Sequence, residues 1–456
     1  MARLFAWMTR LTPGFCLLSA GVLVPGISLA QQRGLEEVIV TAQKRAESVQ
    51  DVPMGVTAIS ADAIEQAGIA NTTDLVKLAP SLTFGEGLNK QQSSFSIRGV
   101  GTSVFSIGVE NSVAVVIDEV STVQAGQALA NLIDVERIEV LRGPQGTLYG
   151  RNTIGGAIKY VTAKLPDEMQ LKVRGTYGSY NQADLVVTAS TPVSENLRIG
   201  ASGARLSRGG FGDNINLGTE NYNKDVWAAR GTIEYDNGPL FVRLSGDYVK
   251  DNSEARQGGR LITSLFTGAP VLGDPYDTRA GLNIVDQEVE AYGGSLNIAL
   301  EVSDTITLKS ITGYREDSST SPIDFDSLPA ADLDVPAIYD DEQTTHEIQL
   351  NNIGDNYTFV SGLYFYDGDS CGQFEAILEV LGQGAFGTPG LTREVSGCNN
   401  STSKAAYVQL SYDFTEKWSV TAGARYTKDE KTAKGVLKDL KQASREGLIK
   451  IENAAV

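Results

Sequence analysis

The chain has 456 residues, 41% of them hydrophobic and 21% charged, and its formal net charge is −18. A chain of this length needs at least two domains, and this composition excludes a disordered protein. The negative charge argues against nucleic acid as a partner, because an acidic surface repels phosphate backbones. His346 is the one histidine, so a two-histidine metal site is excluded and the usual general base of enzymes is nearly absent.

Residues 1–30 have the pattern of a cleaved secretory signal peptide. A short head with Arg3 and Arg10 is followed by an apolar body, and Ser28-Leu29-Ala30 precedes Gln31. No later apolar run comes near the ~18–20 residues that a spanning helix needs. We therefore expect an exported chain without a transmembrane helix, for which a soluble periplasmic protein and an outer-membrane barrel both stay open.

Short strand-like and helical patterns follow this leader. The run Glu36-Glu37-Val38-Ile39-Val40-Thr41-Ala42 stands in a polar neighbourhood and on its own predicts a first strand packed into the following domain. Helical patterns occupy residues 61–67 and 74–78, and strand-like runs follow at residues 94–98 and 113–117. This region is therefore expected to combine short helices with short strands.

Residues 134–162 organise the rest of the chain. Two apolar strand-like runs, 137–141 and 157–161, flank a turn-rich segment that contains Gly143-Pro144 and Gly155-Gly156. Because Gly-Pro and Gly-Gly steps mark turns, the segment predicts a strand, a compact loop and a second strand. It has neither the Gly-Lys-Ser/Thr ending of a Walker phosphate loop nor the GxGxxG spacing of a dinucleotide site. On composition alone it is an ordinary glycine-rich connection in a β protein.

Taken whole, this stretch resembles the plug-domain signature of TonB-dependent outer-membrane receptors. The match rests on Glu139-Val140-Leu141-Arg142-Gly143-Pro144 and on Leu148-Tyr149-Gly150, and Ile97-Arg98-Gly99-Val100-Gly101 fits the same pattern. The resemblance implies a mainly β chain, with a small α+β plug domain at residues 48–166 that gates a transmembrane β-barrel. The plug-motif residues are Gly99, Gly143, Pro144, Tyr149, Gly150, Gly155 and Gly156.

The resemblance also assigns a role to two arginines. Within the family, the arginines at the positions of Arg98 and Arg142 face barrel glutamates and hold the plug to the wall. Such contacts are directional, and they are strong where they are shielded from water. The alternative is that both residues are surface arginines on loops.

Residues 31–47 are then a periplasmic N-terminal segment, and its β-prone run resembles a TonB box. Such a segment adds as a strand to an edge of the energy-transducing protein TonB, which works with the ExbB–ExbD motor. Main-chain hydrogen bonds carry the affinity, and the alternating side chains set the register. The box residues are Val38, Ile39, Val40, Thr41 and Ala42.

From about residue 171 the chain consists of alternating polar and apolar runs separated by turns. Short connections such as residues 237–239 alternate with long ones at residues 256–287 and 316–343. This asymmetry indicates an outer-membrane barrel, because soluble β-sandwiches rarely have short turns on one side and long loops on the other. The predicted strands are residues 172–177, 184–188, 197–206, 226–235, 240–249, 292–300, 305–314, 344–351, 357–366, 406–414 and 418–426.

These strands are about half of the 22 in TonB-type plugged transporters, so residues 167–456 are expected to form an incomplete antiparallel β-barrel. Residues 432–456 are lysine-rich and do not alternate, which predicts a short amphipathic helix rather than a closing strand. The chain is therefore expected to be a fragment or the product of a truncated reading frame.

No catalytic constellation is found, so we expect a non-enzyme without a cofactor or a metal site. An exported β-rich enzyme would need a reactive site that the sequence lacks. Residues 316–342 hold nine acidic residues and no basic one. Without regular ligand spacing, this favours a solvated extracellular loop over a divalent-cation site. Cys371 and Cys398 are an even pair in the mature exported chain, so one structural disulfide is expected.

The resemblance implies a receptor in the outer membrane of a Gram-negative bacterium, in contact with its lipid. Such a receptor takes up a scarce small molecule when TonB pulls on the box and loosens the plug. A ferric siderophore is the default ligand, and vitamins, haem, carbohydrates and plant-derived compounds are the rivals. The hypothesis from another class is a truncated product that binds without transport, because unpaired sheet edges are costly in lipid.

Overall fold

The computed structural model is mainly β and describes most of the chain that follows the leader. The predicted signal peptide, residues 1–30, lies outside the described residues, as do residues 31–37. No helix in the described part combines the length and the apolar character that a bilayer crossing requires. The described residues are 38–69, 72–85, 94–102, 107–122, 133–254, 259–265, 267–283, 287–330, 332–415 and 417–441.

The first part of the described chain is a small α+β region, as predicted for the plug. The helix α1 begins at Ser60, whose side chain accepts a hydrogen bond from the Ala63 backbone N–H and so caps the helix. The elements are β1 (Ile39–Val40), β2 (Glu47–Ser48), β3 (Gly55–Ser60), α1 (Ala61–Gln66), a 3-10 helix (Thr72–Lys77), β4 (Leu82–Gly85), β5 (Ser94–Ile97), β6 (Val100–Gly101), β7 (Val113–Ile117), β8 (Val120–Thr122), β9 (Val135–Arg142), α2 (Gly146–Tyr149) and β10 (Gly156–Thr162).

A five-stranded sheet of order β3-β9-β10-β7-β8 forms the centre of this region. The two apolar runs predicted within residues 134–162 are β9 and β10, which pair antiparallel, while β10 runs parallel to β7. Alternation gives the sheet two apolar faces. Ile138 and Ile158 pack in one hydrophobic cluster with α1, and Leu141 and Ala157 pack in another with the chain around Val40.

The second part is one antiparallel sheet of eleven strands, which confirms the predicted number and order. Consecutive strands pair in sequence order, with a separate hairpin, β14–β15, and a helix, α3, outside the sheet. The elements are β11 (Gln170–Gly178), β12 (Gln182–Pro192), β13 (Leu197–Arg208), β14 (Gly212–Asn214), β15 (Thr219–Asn221), β16 (Lys224–Asp236), β17 (Leu240–Asp251), β18 (Glu288–Glu301), β19 (Ile306–Asp324), β20 (Asp334–Ile353), β21 (Tyr357–Leu378), α3 (Glu379–Phe386), β22 (Leu391–Thr415) and β23 (Trp418–Lys441).

The two faces of this sheet differ in polarity, because successive side chains of a strand point to opposite sides. Along β20, Gln343, Glu347 and Gln349 are buried, and Gln343 Nε2 donates to Ser121 O of the plug, whereas Ile348 points outward and is exposed. Other outward side chains are apolar, among them Leu244, Leu296, Leu363 and Val408. A polar inner face and an apolar outer face are typical of a transmembrane barrel.

The predicted long loop at residues 316–343 is wrong. β19 continues to Asp324 and β20 begins at Asp334, and the ladder between them runs without a gap through Glu316↔Glu342. An acidic stretch has the sequence pattern of a loop when acidic side chains occupy both faces of a strand, because no apolar face then identifies the strand. Here the neighbouring strands satisfy the backbone donors and acceptors, so the strands extend without an apolar face.

The predicted helix at the tail is wrong over residues 432–441, which are part of β23. This stretch pairs with β22 from Thr432↔Asn400 to Lys441↔Leu391. Local propensity favours a helix, but a neighbouring strand supplies a complete hydrogen-bond ladder and decides the conformation. Residues 442–456 lie outside the described part of the chain.

Candidate functional site

The N-terminal segment, residues 38–48, lies against the plug sheet. Val38 and Ile39 are each 41% exposed, whereas Val40 and Ala42 are fully buried. β1 pairs with β2 through only two residues on each side. The β-prone run is thus a first strand packed into the plug, with its first two residues accessible.

Three plug side chains form hydrogen bonds with the backbone and hydroxyl of Thr41 and with the backbone carbonyl of Ala42. Glu139 Oε1 accepts hydrogen bonds from Thr41 N at 2.8 Å and from Thr41 Oγ1 at 3.1 Å. Lys159 Nζ donates to Thr41 O and to Thr41 Oγ1, both at 2.9 Å. Tyr149 Oη donates to Ala42 O at 2.9 Å. We call Glu139, Tyr149 and Lys159 the Thr41 clasp.

The charges around the clasp keep its donors protonated. Burial acts to raise the pKa of Glu119, but the positive charges of Lys159 and Lys44 outweigh it and lower that pKa to about 2. Burial acts to lower the pKa of Lys159, yet the negative charge of Glu119 raises it above its ordinary value. Burial raises the pKa of the Tyr149 hydroxyl. Lys159 therefore stays cationic and Tyr149 neutral at physiological pH.

Two buried ion pairs join the N-terminal segment and the plug to the barrel wall. Lys44 Nζ lies 2.5 Å from Glu347 Oε1, and the two side chains are 4% and 5% exposed. Tyr407 Oη donates to the same Glu347 oxygen at 2.5 Å. In the second pair, the Arg230 guanidinium contacts the Asp118 carboxylate. Both pairs are shielded from water, so the first holds the N-terminal segment and the second holds the plug against the wall.

Arg151 makes a further contact between plug and wall, two residues beyond α2. Its Nη1 donates to Ser401 Oγ at 2.8 Å and lies 3.4 Å from Glu110 Oε1. Its guanidinium stacks over the Tyr366 ring, 3.9 Å from the ring centroid. Residues 146–151 therefore touch both the N-terminal segment, through Tyr149, and the inner wall of the barrel.

Family models divide the chain in the same way as its fold. Residues 48–157 match the TonB-dependent receptor plug domain, and residues 167–447 match the TonB-dependent receptor-like β-barrel. The chain belongs to the TonB-dependent receptor family. Its barrel and its family place it in the outer membrane of a Gram-negative bacterium.

The relatives in this receptor family are named for different ligands. The pesticin receptor of Yersinia pestis is 26% identical over 449 residues, which cover 93% of this chain and 60% of that protein. The ferripyoverdine receptor of Pseudomonas aeruginosa is 23% identical over 231 residues, covering 50% of this chain and 27% of that protein. The chain spans about 60% of the length of the first of these relatives.

Solved receptors of the family share the fold. The ferric yersiniabactin uptake receptor of Yersinia pestis superposes with a TM-score of 0.72 at 19% identity, over 85% of this chain and 58% of that chain. The ferripyoverdine receptor of Pseudomonas aeruginosa, bound to ferripyoverdine, gives a TM-score of 0.63 at 16% identity, over 88% and 56% of the two chains.

The predicted arginine pair of the receptor plug occupies a different environment from the one expected. The Arg142 guanidinium donates to Thr57 Oγ1 inside the plug, and Arg98 is exposed beside Gly55 and Gly143. Among the described residues, neither arginine forms an ion pair with a barrel carboxylate. That contact stays a prediction, and the pairs of Lys44 and Asp118 with the wall are the ones sequence reasoning missed.

Six of the seven predicted plug-motif residues lie in one compact loop between β9 and β10 or at its edge, whereas Gly99 lies in the turn between β5 and β6. Gly143 N donates to Gly155 O at 3.0 Å, which closes the loop around Pro144 and α2. Gly156 has φ +142, and a Cβ there would lie 2.1 Å from Leu141 O. Only glycine fits this position. Gly99 and Gly150 also have positive φ.

Cys371 and Cys398 form the predicted disulfide. They are directly opposite each other on β21 and β22, so the bond joins neighbouring strands rather than the base of a loop. The lone histidine is a sheet residue, as interpreted, and His346 Nδ1 lies 2.8 Å from Thr312 Oγ1.

Three buried carboxylates converge at the ends of β19 and β20 and in the connection between these strands. Oxygens of Asp324, Asp326 and Asp334 lie within 4.8 Å of one another, a spacing that a metal ion could occupy. Asp326 already accepts hydrogen bonds from the backbone N–H groups of Leu328 and Leu333. Burial, together with the charge of Asp324, raises the pKa of Asp326 to about 6.

Proposed function

We propose that this receptor chain serves the energy-coupled uptake of a scarce small molecule across the outer membrane. The observation that carries the proposal is the N-terminal segment, which is half accessible at Val38 and Ile39 and locked to the plug at Thr41. A pulling force on this segment acts first on the Thr41 clasp and then on the Lys44–Glu347 pair. Work applied there would loosen the plug from the wall.

We propose TonB, with its ExbB–ExbD motor, as the partner that supplies this work. In this proposal the box Val38–Ala42 adds to an edge of TonB as an extended strand. Val38 and Ile39 make the first pairing, because the residues after them are buried until the clasp opens. The outward apolar face of the sheet contacts outer-membrane lipid.

A ferric siderophore is the proposed ligand class. This proposal is supported by the relatives, whose names refer to ferripyoverdine and, for a solved structure, to ferric yersiniabactin uptake. Haem is the rival with a named relative, since a hemin receptor of Yersinia enterocolitica is 26% identical over 187 residues. Vitamins, carbohydrates and plant-derived compounds have no such support.

Iron uptake by living cells tests the function. Iron-limited cells that lack their own siderophore receptors are given the chain and a panel of radiolabelled ferric siderophores. We expect uptake of at least one complex, which is lost in a TonB-deficient host and in Ile39→Pro, because proline cannot donate a strand hydrogen bond. Ile39→Val is the matched control and keeps uptake. The siderophore proposal would be overturned if the protein transports none of the complexes although it is correctly folded, as shown by a gel mobility that changes on heating.

A further inference from the structure

Three connections on the long-loop side of the barrel fold together into a cap. The hairpin β14–β15 docks on the connection between β17 and β18, where Ile215 N donates to Thr278 O at 3.0 Å. The same connection is tied to the end of β19, because Gly281 N donates to Asp324 Oδ2 at 2.9 Å. Thr278, Leu282 and Leu328 are buried, so this cap has a small core of its own. Longer loops lie on the extracellular side of such barrels.

The cap contains a cavity of about 270 Å³ that opens to the outside. Its volume lies just below the range of about 300–1,000 Å³ that is typical of small-molecule sites. One part of the lining is apolar, with Val271, Leu272 and Leu328. The charged residues of the lining are two arginines, Arg260 and Arg279, and two aspartates, Asp274 and Asp277. The cavity thus offers an apolar surface, two guanidinium groups and two carboxylates.

Both arginines are held in place by backbone carbonyls. Arg260 Nη1 donates to Asp326 O at 2.8 Å, and Arg279 Nη1 donates to Pro270 O at 3.0 Å. Within the described residues, neither guanidinium is paired with a carboxylate. The carboxylates in the lining are engaged elsewhere, since Asp274 Oδ1 accepts from Tyr276 N and Asp277 Oδ1 accepts from Asp213 N. Each arginine therefore keeps its full charge and further N–H donors for a ligand.

We propose that this cavity binds a small organic carboxylate with an apolar body. Planar guanidinium groups recognise carboxylates by directional, charge-assisted hydrogen bonds. The apolar lining suits the rest of such a ligand, and the size of the cavity excludes a large one. In a chain with a net charge of −18, the donors for an anion in this cavity are the two guanidinium groups, because Asp274 and Asp277 accept backbone N–H bonds and do not pair with them in the described structure. This site lies in the outer loops and does not depend on plug movement or on the proposed uptake.

Ligand-observed saturation-transfer NMR on outer-membrane fragments that contain the full chain tests the site. The probes are benzoate and its uncharged isostere benzamide. We expect benzoate to bind measurably and benzamide to bind at least tenfold more weakly, because the charge-assisted hydrogen bonds are lost. Arg260→Gln and Arg279→Gln should each weaken benzoate binding about tenfold. Arg198→Gln is the matched control, since Arg198 pairs with Asp167 at the short-turn end of the sheet.

A second variant separates loss of the site from loss of the fold. Gly273 lines the cavity, and a Cβ added there would meet no atom within 4 Å. Gly273→Leu therefore adds a large side chain to the lining without a clash at its Cβ, while both arginines stay in place, and we expect it to abolish benzoate binding without a change in the heat-dependent gel mobility of the folded protein. Benzoate binding that survives Gly273→Leu, or that is equal for benzamide, would overturn the proposal. Absence of benzoate binding to the unmodified chain would overturn it as well, whatever the result of the iron-uptake experiment.

Discussion

Removal of the Lys44 charge is the perturbation whose effect the structure predicts most sharply. Lys44→Met keeps the aliphatic volume and deletes the ammonium. Glu347, on the wall strand β20, then stays buried without its charged partner. Breaking a buried pair by removing one partner costs about 3–5 kcal/mol. Glu347 keeps its hydrogen bond from the Tyr407 hydroxyl, so the lower end of this range, about 3 kcal/mol, is expected. This loss of stability affects the N-terminal segment, because Lys44 belongs to it.

Amide hydrogen exchange of a peptide spanning residues 38–48 measures this cost. A loss of about 3 kcal/mol in the free energy of local opening should accelerate exchange there about 100-fold, because each 1.4 kcal/mol is a factor of ten. Exchange of β9, in the centre of the plug sheet, should stay unchanged. The double variant Lys44→Met/Glu347→Met should recover most of the protection, since it leaves no unpaired charge.

A lysine in an exposed pair provides the matched control. Lys77 lies 2.5 Å from Asp74, but its side chain is 63% exposed, so Lys77→Met should change stability by less than about 1 kcal/mol. If Lys44→Met and Lys77→Met give the same exchange pattern, the buried pair does not hold the N-terminal segment and the reasoning is refuted.

Three other variants give independent predictions. Tyr149→Phe removes the hydroxyl that donates to Ala42 O, so exchange at the end of the box should rise about tenfold, with β9 unchanged. Because the pKa of Glu119 is lowered to about 2, its stabilising contribution, up to about 3 kcal/mol, should be complete above about pH 4.5 and disappear as pH falls towards 2. Urea titrations of the plug at these pH values should show the loss, and Glu119→Gln should show a flatter pH dependence. The double variant Cys371→Ser/Cys398→Ser opens a link between residues 27 apart and should lower the free energy of unfolding by about 3.5 kcal/mol. Equal urea midpoints before and after reduction of the unmodified chain would contradict this last prediction.

The barrel strands were predictable because their signal is local. Period-two alternation with short turns, such as residues 237–239, specifies each strand from its own residues. Strand ends were less predictable, since β19 and β20 continue into acidic residues that carry no apolar face. β23 likewise takes its conformation from its neighbour β22. Where the pairing partner decides the structure, a local pattern holds no information about it.

The contacts between plug and wall were not predictable from the sequence. Lys44 and Glu347 are separated by 303 positions, and neither stands in a distinctive motif. The glycine-rich loop could be predicted from the sequence, because its glycines are required locally. A Cβ at Gly156, for example, would collide with the backbone carbonyl of Leu141. The clasp on Thr41 depends on Lys159 and Glu139, which the sequence alone presents as ordinary charged residues of two strands.

Cross-linking of the box to TonB in living cells tests the central claim most directly. Ile39→Cys places a free thiol on the accessible part of the proposed box, and Cys371 and Cys398 are joined to each other. With TonB variants that carry a cysteine on an edge strand, we predict a disulfide-linked product of the two proteins. Met169→Cys, at a residue that is 80% exposed but outside the box, should give none. A product formed equally by both variants, or by neither while the receptor is folded in the membrane, would contradict the account.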